Sequence, residues 1–152
     1  MTKSKNKLVS VMNITSLIIV VMAFLLLVSF AISLFIPIKV MEIVDNPLKI
    51  LNDNKTVEKG EVLYAELHYI KHHNLVGMST KQFQNTFTYT TIPVSSNLKI
   101  GDNQIIYAMA IPNELPVGRY KVYTTIAYQV LPWRVVTVDC ITEEFKVVAK
   151  CD

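Results

Sequence analysis

Glycine is scarce in this chain, with four in 152 residues. Loops that cradle phosphates need closely spaced glycines, so the Gly-rich nucleotide motifs are excluded, and no nucleophile elbow is present. The two cysteines, Cys140 and Cys151, are too far apart in sequence to form a Cys-x-x-Cys pair. Net basic charge is scarce as well. Of the 15 basic residues, Lys3, Lys5 and Lys7 stand at the amino terminus, and the rest equal the 12 acidic residues in number. Without a basic stripe, no nucleic-acid partner is expected. Without a catalytic constellation, the chain reads as a non-enzyme with no cofactor and no small-molecule substrate.

One long apolar run is present. Residues 17–37 form 21 positions without a charge. At about 1.5 Å of rise per residue the run spans roughly 30 Å, the thickness of a hydrocarbon core. A transmembrane helix is therefore expected over 14–38, after a basic tail over 1–13 and before a connector over 39–47. The tail lysines have no acid beside them, whereas Lys39 is soon balanced by Glu42 and Asp45. That asymmetry keeps the amino terminus in the cytoplasm and draws it to anionic lipid headgroups. The rest of the chain is then periplasmic or extracellular, held at the cytoplasmic (inner) membrane by one span.

A cleaved secretory signal is the rival reading, because Ser29-Phe30-Ala31 offers small residues where a signal peptidase reads. Against it, Ile32-Ser33-Leu34-Phe35-Ile36 would become an apolar new terminus, and the run exceeds an ordinary signal core. An uncleaved signal anchor is favoured. Ser29 and Ser33, one turn apart, permit close packing of such helices.

From residue 48 the pattern changes to period two, as in half-buried strands. Leu63, Ala65, Leu67 and Tyr69 fall on one face, opposite Tyr64, Glu66 and His68. Phe83, Phe87 and Tyr89 make a second set, Ile105, Tyr107, Met109 and Ile111 a third, and Tyr120, Val122, Thr124, Ile126 and Tyr128 a fourth. Shorter strands are expected over 48–51 and 98–100, and a last stretch over 134–148. Turn signals separate them, among them Asn52-Asp53-Asn54, Gly77, Gly101-Asp102-Asn103 and Pro116-Val117-Gly118. About seven strands without an intervening helix describe an all-β, antiparallel β-sandwich over 48–152.

The run Leu115-Pro116-Val117-Gly118-Arg119-Tyr120-Lys121-Val122 resembles the turn into the sixth strand of immunoglobulin-like and fibronectin type III-like domains. The resemblance implies a structural corner at Gly118 and Tyr120, with the Tyr120 hydroxyl turned back onto upstream backbone and Val122 in the apolar place two residues on. The antibody disulfide is not matched, since neither Val122 nor the second strand supplies a cysteine, and Trp133 does not stand where the core tryptophan would. The implied fold is an immunoglobulin-like β-sandwich of the disulfide-free branch, and it carries no activity with it.

Three groups of residues are candidate sites. Leu131-Pro132-Trp133-Arg134 forms a hairpin tip with the residue types that dominate interface energetics, and is the partner-binding candidate; alternatively Trp133 folds back over the core. His72 and His73 with Met78 offer imidazole and thioether ligands suited to copper or zinc, which gives a periplasmic metal-binding alternative. On a straight strand His68 and His72 lie roughly 13 Å apart at 3.3 Å per residue, too far to share an ion. Cys140 and Cys151 would sit about 36 Å apart on a straight strand. An internal disulfide therefore needs a turn at Phe145-Lys146, and a link between chains or free thiols are the other readings. Asn54-Lys55-Thr56 matches a glycosylation acceptor, relevant only in a eukaryotic secretory route. The expected role is a membrane-tethered protein-interaction or structural module, part of an envelope or virion-membrane assembly, whose partner is another protein or a second copy.

Overall fold

A computed structural model describes residues 2–150. The chain divides into two compact units, Met1–Ile38 and Lys39–Asp152.

The first unit is one helix, α1 (Thr2–Phe35), so the basic tail is itself helical. Its segment Thr15–Ser33, 19 residues with none buried, is long and apolar enough to cross a membrane. The Ser33 hydroxyl donates to the Phe30 carbonyl at 2.7 Å, which satisfies a polar group inside the apolar stretch. Pro37, with no N–H to give, closes the helix after Ile36 N–H bonds the Ile32 carbonyl.

The second unit contains β1 (Met41–Ile43), β2 (Lys49–Ile50), β3 (Thr56–Glu58), β4 (Val62–Lys71), β5 (Gly77–Gln84), β6 (Thr88–Thr90), β7 (Val94–Ser96), β8 (Gly101–Ala110), β9 (Gly118–Leu131), β10 (Arg134–Ile141) and β11 (Phe145–Val148). They form two sheets. In the smaller, β4 is central: β8 pairs along its whole length on one side, while β1 and β2 share the other. In the larger, β9 is central, with β5 on one side and β10 followed by β11 on the other. β6 and β7 share the outer edge of β5. β3 lies outside β11 and runs parallel to it, whereas the other strand pairs are antiparallel and only the isolated Leu48–Thr142 bridge among the described residues is parallel as well. The domain is an all-β sandwich preceded by one apolar helix.

Alternating burial explains the stacking. Leu63, Ala65, Leu67 and Tyr69 of β4 and Tyr120, Val122, Thr124, Ile126 and Tyr128 of β9 are all buried. Each fully buried Val or Leu contributes about 1.5–3 kcal/mol relative to exposure, so these two strands supply much of the driving force. Ser79 on β5 and Tyr107 on β8 bring their hydroxyls to 3.3 Å between the sheets. Lys71 is buried too. Its ammonium donates to the carbonyls of Leu75 at 2.7 Å and Leu98 at 2.8 Å and lies 5.5 Å from the Tyr128 ring centre. Burial lowers its pKa, while the two carbonyls compensate the lost water.

Several expectations are corrected. The alternation over 83–90 crosses a turn. Phe83 is buried on β5, but Phe87 is 77% exposed, and Tyr89 belongs to the separate strand β6. Asn85 makes that turn: its N–H donates to the Phe87 carbonyl at 3.0 Å, and its side-chain oxygen accepts the Phe87 N–H at 3.2 Å. Gly77, read as a turn, opens β5 and is buried. Residues 98–100 form no strand. The connector over 39–47 contributes β1 to the smaller sheet, and Val40 and Met41 to the core. The stretch over 134–148 is two strands, because the register slips between Ile141, opposite Tyr123, and Phe145, opposite Tyr120.

Candidate interaction surface

The tip of the β9–β10 hairpin is the two-residue turn Pro132-Trp133, closed where Leu131 pairs with Arg134. Gln129 Nε2 donates to the Pro132 carbonyl at 3.3 Å and braces the turn. Trp133 is 54% exposed and Val135, next on the same strand, 59% exposed; Leu131 and Arg134 are half-buried beneath them. About half of the indole surface is therefore open to solvent at the tip. A large aromatic ring, an aliphatic side chain and a guanidinium on a rigid two-strand support give an anchor of the kind that concentrates binding energy.

At the other end of β9 the Tyr120 hydroxyl donates to the Pro116 carbonyl at 2.9 Å. Its ring packs on Phe145, centroids 6.3 Å apart, and burial raises the phenol pKa. A Cβ on Gly118 would meet Asn85 Nδ2 at 3.1 Å and the Tyr120 ring at 3.5 Å, so a larger residue would crowd this corner.

Two of the three histidines, His68 and His72, are engaged with carboxylates. His68 sits between Asp45, 3.1 Å from Nδ1, and Asp102, 2.8 Å from Nε2. The hydrogen bond to Asp102 is the chief cause that raises the His68 pKa; partial desolvation opposes it, and Asp45 adds to it. His72 Nε2 meets Glu42 at 3.2 Å. The Glu42 carboxyl is held below its ordinary range, first by the hydrogen bond from Lys39 and then by His72. His73 lies in the exposed loop after β4, while Met78 is on β5 in the other sheet. Among the described residues no group of three or more His, Cys, Asp or Glu side chains is placed to hold a metal ion. His72 and His73 follow β4, with His72 already facing Glu42, while Met78 lies on β5 of the larger sheet.

Cys140 is buried and free. Burial pushes its thiol up to about 11, away from thiolate chemistry. Cys151 lies outside the described residues, and the turn at Phe145-Lys146 that an internal bridge would need is occupied by β11. Asn54 and Lys55 stand on an exposed turn with φ of 51° and 50°.

Two features escaped the sequence reading. Lys71 shares its parity with the buried positions of β4, but a charge at a strand end reads as solvated. The pairing of β10 with β9 alone among the described strands is a matter of topology and leaves no local signal.

No protein-family model matches this chain, and no curated protein matches its sequence. Among solved structures it is similar to Spo0M, the sporulation control protein of Bacillus subtilis, at 12% identity and a TM-score of 0.37. That match covers 76% of this chain and 51% of Spo0M, so the chain spans about half the length of that protein.

Proposed function

We propose that this chain is a membrane-tethered interaction module, in which α1 anchors a sandwich of the immunoglobulin-like type at the outer face of the cytoplasmic membrane. The observation that carries the reading is Trp133, 54% exposed on a braced two-residue turn beside the exposed Val135. The exposed half of the indole leaves a burial gain that a partner surface can recover. The Tyr120 to Pro116 bond supports the immunoglobulin-like assignment. The charge-free span and the lysines before it support the anchor and its orientation. Confinement to a membrane raises the effective concentration of the domain toward neighbours in the same bilayer. The role assigned is contact, with no reaction.

The test is crosslinking and pull-down of the full chain from its native membrane, comparing the wild type with Trp133→Ala. Loss of bound proteins with an unchanged thermal transition supports the tip as contact surface; an unchanged set of bound proteins removes it. Digestion of the carboxy-terminal domain by protease added to the cytoplasmic side would overturn the orientation.

A further inference from the structure

We propose that loops 72–76 and 97–100 of the sandwich seat on the lipid surface of the membrane that holds the chain, with Val76 and Ile100 entering the headgroup layer. The proposal rests on the membrane tether above and adds lipid as a direct partner of the β domain.

Covalent reach selects the end of the sandwich that meets lipid. α1 closes at Phe35, and Val40 is already fully buried in the second unit, where its carbonyl accepts from the His72 N–H at 2.9 Å. The five residues from Ile36 to Val40 extend no more than about 18 Å, so the end that receives Val40 stays close to the bilayer. Met41 pairs with Lys71 and Lys71 with Gly101, while Tyr128, bonded to Met41, pairs with Gly77. Gly77 also pairs with Ser96, the last residue of β7. Loop 72–76, between β4 and β5, and loop 97–100, between β7 and β8, therefore both stand at the end where Val40 enters.

One buried cation fastens the two loops together. Lys71 Nζ donates to the Leu75 carbonyl in the first loop and to the Leu98 carbonyl in the second. Asn103 Nδ2 donates to the carbonyls of Ile100 at 3.2 Å and Gly101 at 2.9 Å, which holds the end of the second loop. On these supports Val76 is 58% and Ile100 54% exposed. Apolar tips that are already ordered lose little conformational entropy when they insert.

Charge agrees with this end and not with the other. Neither loop contains an acid, and Lys99 stands exposed beside Ile100. The carboxylates one residue inward are occupied, Glu42 by Lys39 at 3.1 Å and His72 at 3.2 Å, and Asp102 by His68 at 2.8 Å. Apolar side chains with a cation beside them suit the boundary between acyl chains and anionic headgroups. The opposite end also exposes apolar residues, Phe87 and Val117, but its loops carry Asp53, Glu61, Glu114, Glu143 and Glu144, which anionic headgroups repel. The Trp133 tip continues from Tyr128 at the seated end. Seating thus keeps it at the level where neighbours in the same bilayer meet it.

The test uses the full chain with Cys151→Ser and the buried Cys140 retained, placed one per vesicle in phosphatidylethanolamine with phosphatidylglycerol as the minor lipid. Lipid is then the one surface on offer. A polarity-sensitive dye is attached at Val76→Cys, Ile100→Cys or, at the far end, Glu114→Cys, with iodide equilibrated across the vesicle wall. Dyes at 76 and 100 are expected to be quenched by iodide about twofold less than the dye at 114, and to be quenched by spin-labelled headgroups. Equal iodide quenching at the three sites, with no effect of the spin label, overturns the proposal. A dye at Asn97→Cys reads the seat without replacing its tips. Adding Val76→Asp and Ile100→Asp is expected to raise its iodide quenching about twofold with the melting transition retained, and unchanged quenching overturns the proposal too. Release of the chain by alkaline carbonate sinks the tether and the seat together. A chain that stays embedded with 76 and 100 open to iodide sinks the seat alone, and the interaction module stands if Trp133→Ala still loses bound proteins.

Discussion

The Tyr128 hydroxyl donates to the Met41 sulfur across 3.2 Å and joins the central strand of the larger sheet to the first strand of the smaller. Burial pushes the Tyr128 phenol up to about 12, so it remains a donor under ordinary conditions. The bond lies deep in the sandwich, although Met41 follows the apolar helix by only a few residues. Residues that read as a connector are thus core.

Tyr120 gives the most direct stability test. Replacing it with Phe keeps the packing on Phe145 and deletes the 2.9 Å bond to Pro116. A loss of about 0.5–1.5 kcal/mol is expected from urea unfolding of the detergent-solubilised chain. An unchanged midpoint would show that the hydroxyl does not hold the corner.

His68 makes stability depend on pH. Its folded pKa lies above the ordinary 6.5 because Asp102 and Asp45 favour the imidazolium. The folded state therefore holds the proton more tightly than the unfolded chain. The resulting stabilisation is fully present below 6.5 and is lost as pH rises through the higher folded value. The melting temperature of the wild type relative to His68→Gln should fall across that window. A difference independent of pH would sink the assignment.

Gly77 marks a close approach of strands. A Cβ there would lie 2.6 Å from Ile126 Cγ2 and 2.8 Å from the Tyr128 ring, both in the core. Gly77→Ala is expected to cost about 1–3 kcal/mol through overpacking. Equal urea midpoints for variant and wild type would mean that β5 can back away from β9 at no cost.

The strands that were legible in the sequence are the long ones. β4 and β9 bury one face, and period two shows this directly in Leu63 to Tyr69 and in Tyr120 to Tyr128. The apolar helix was legible for a similar reason, since its length against a bilayer is a one-dimensional property. Phe87 misled because alternation continues by chance through the Asn85 turn, which has neither Gly nor Pro. The signal there was Asn85 itself, whose side chain mimics a backbone turn. The hairpin tip was readable from Pro132 and Trp133, but the neighbours of its strands were not. Whether an edge is open depends on pairings between distant residues, and β10 reads much the same whether one side is paired or two.

β11 lies beside β3 with Lys146 opposite Thr56, and Thr142 bridges Leu48, across most of the domain's sequence. β3 has no strand to join until β11 has been made. Closing so long a loop is slow and comes late in folding. A ribosome that stalls before Phe145 would therefore release a chain in which β3 has no partner and β9 is uncovered at Tyr120, an open and adhesive edge rather than a smaller domain.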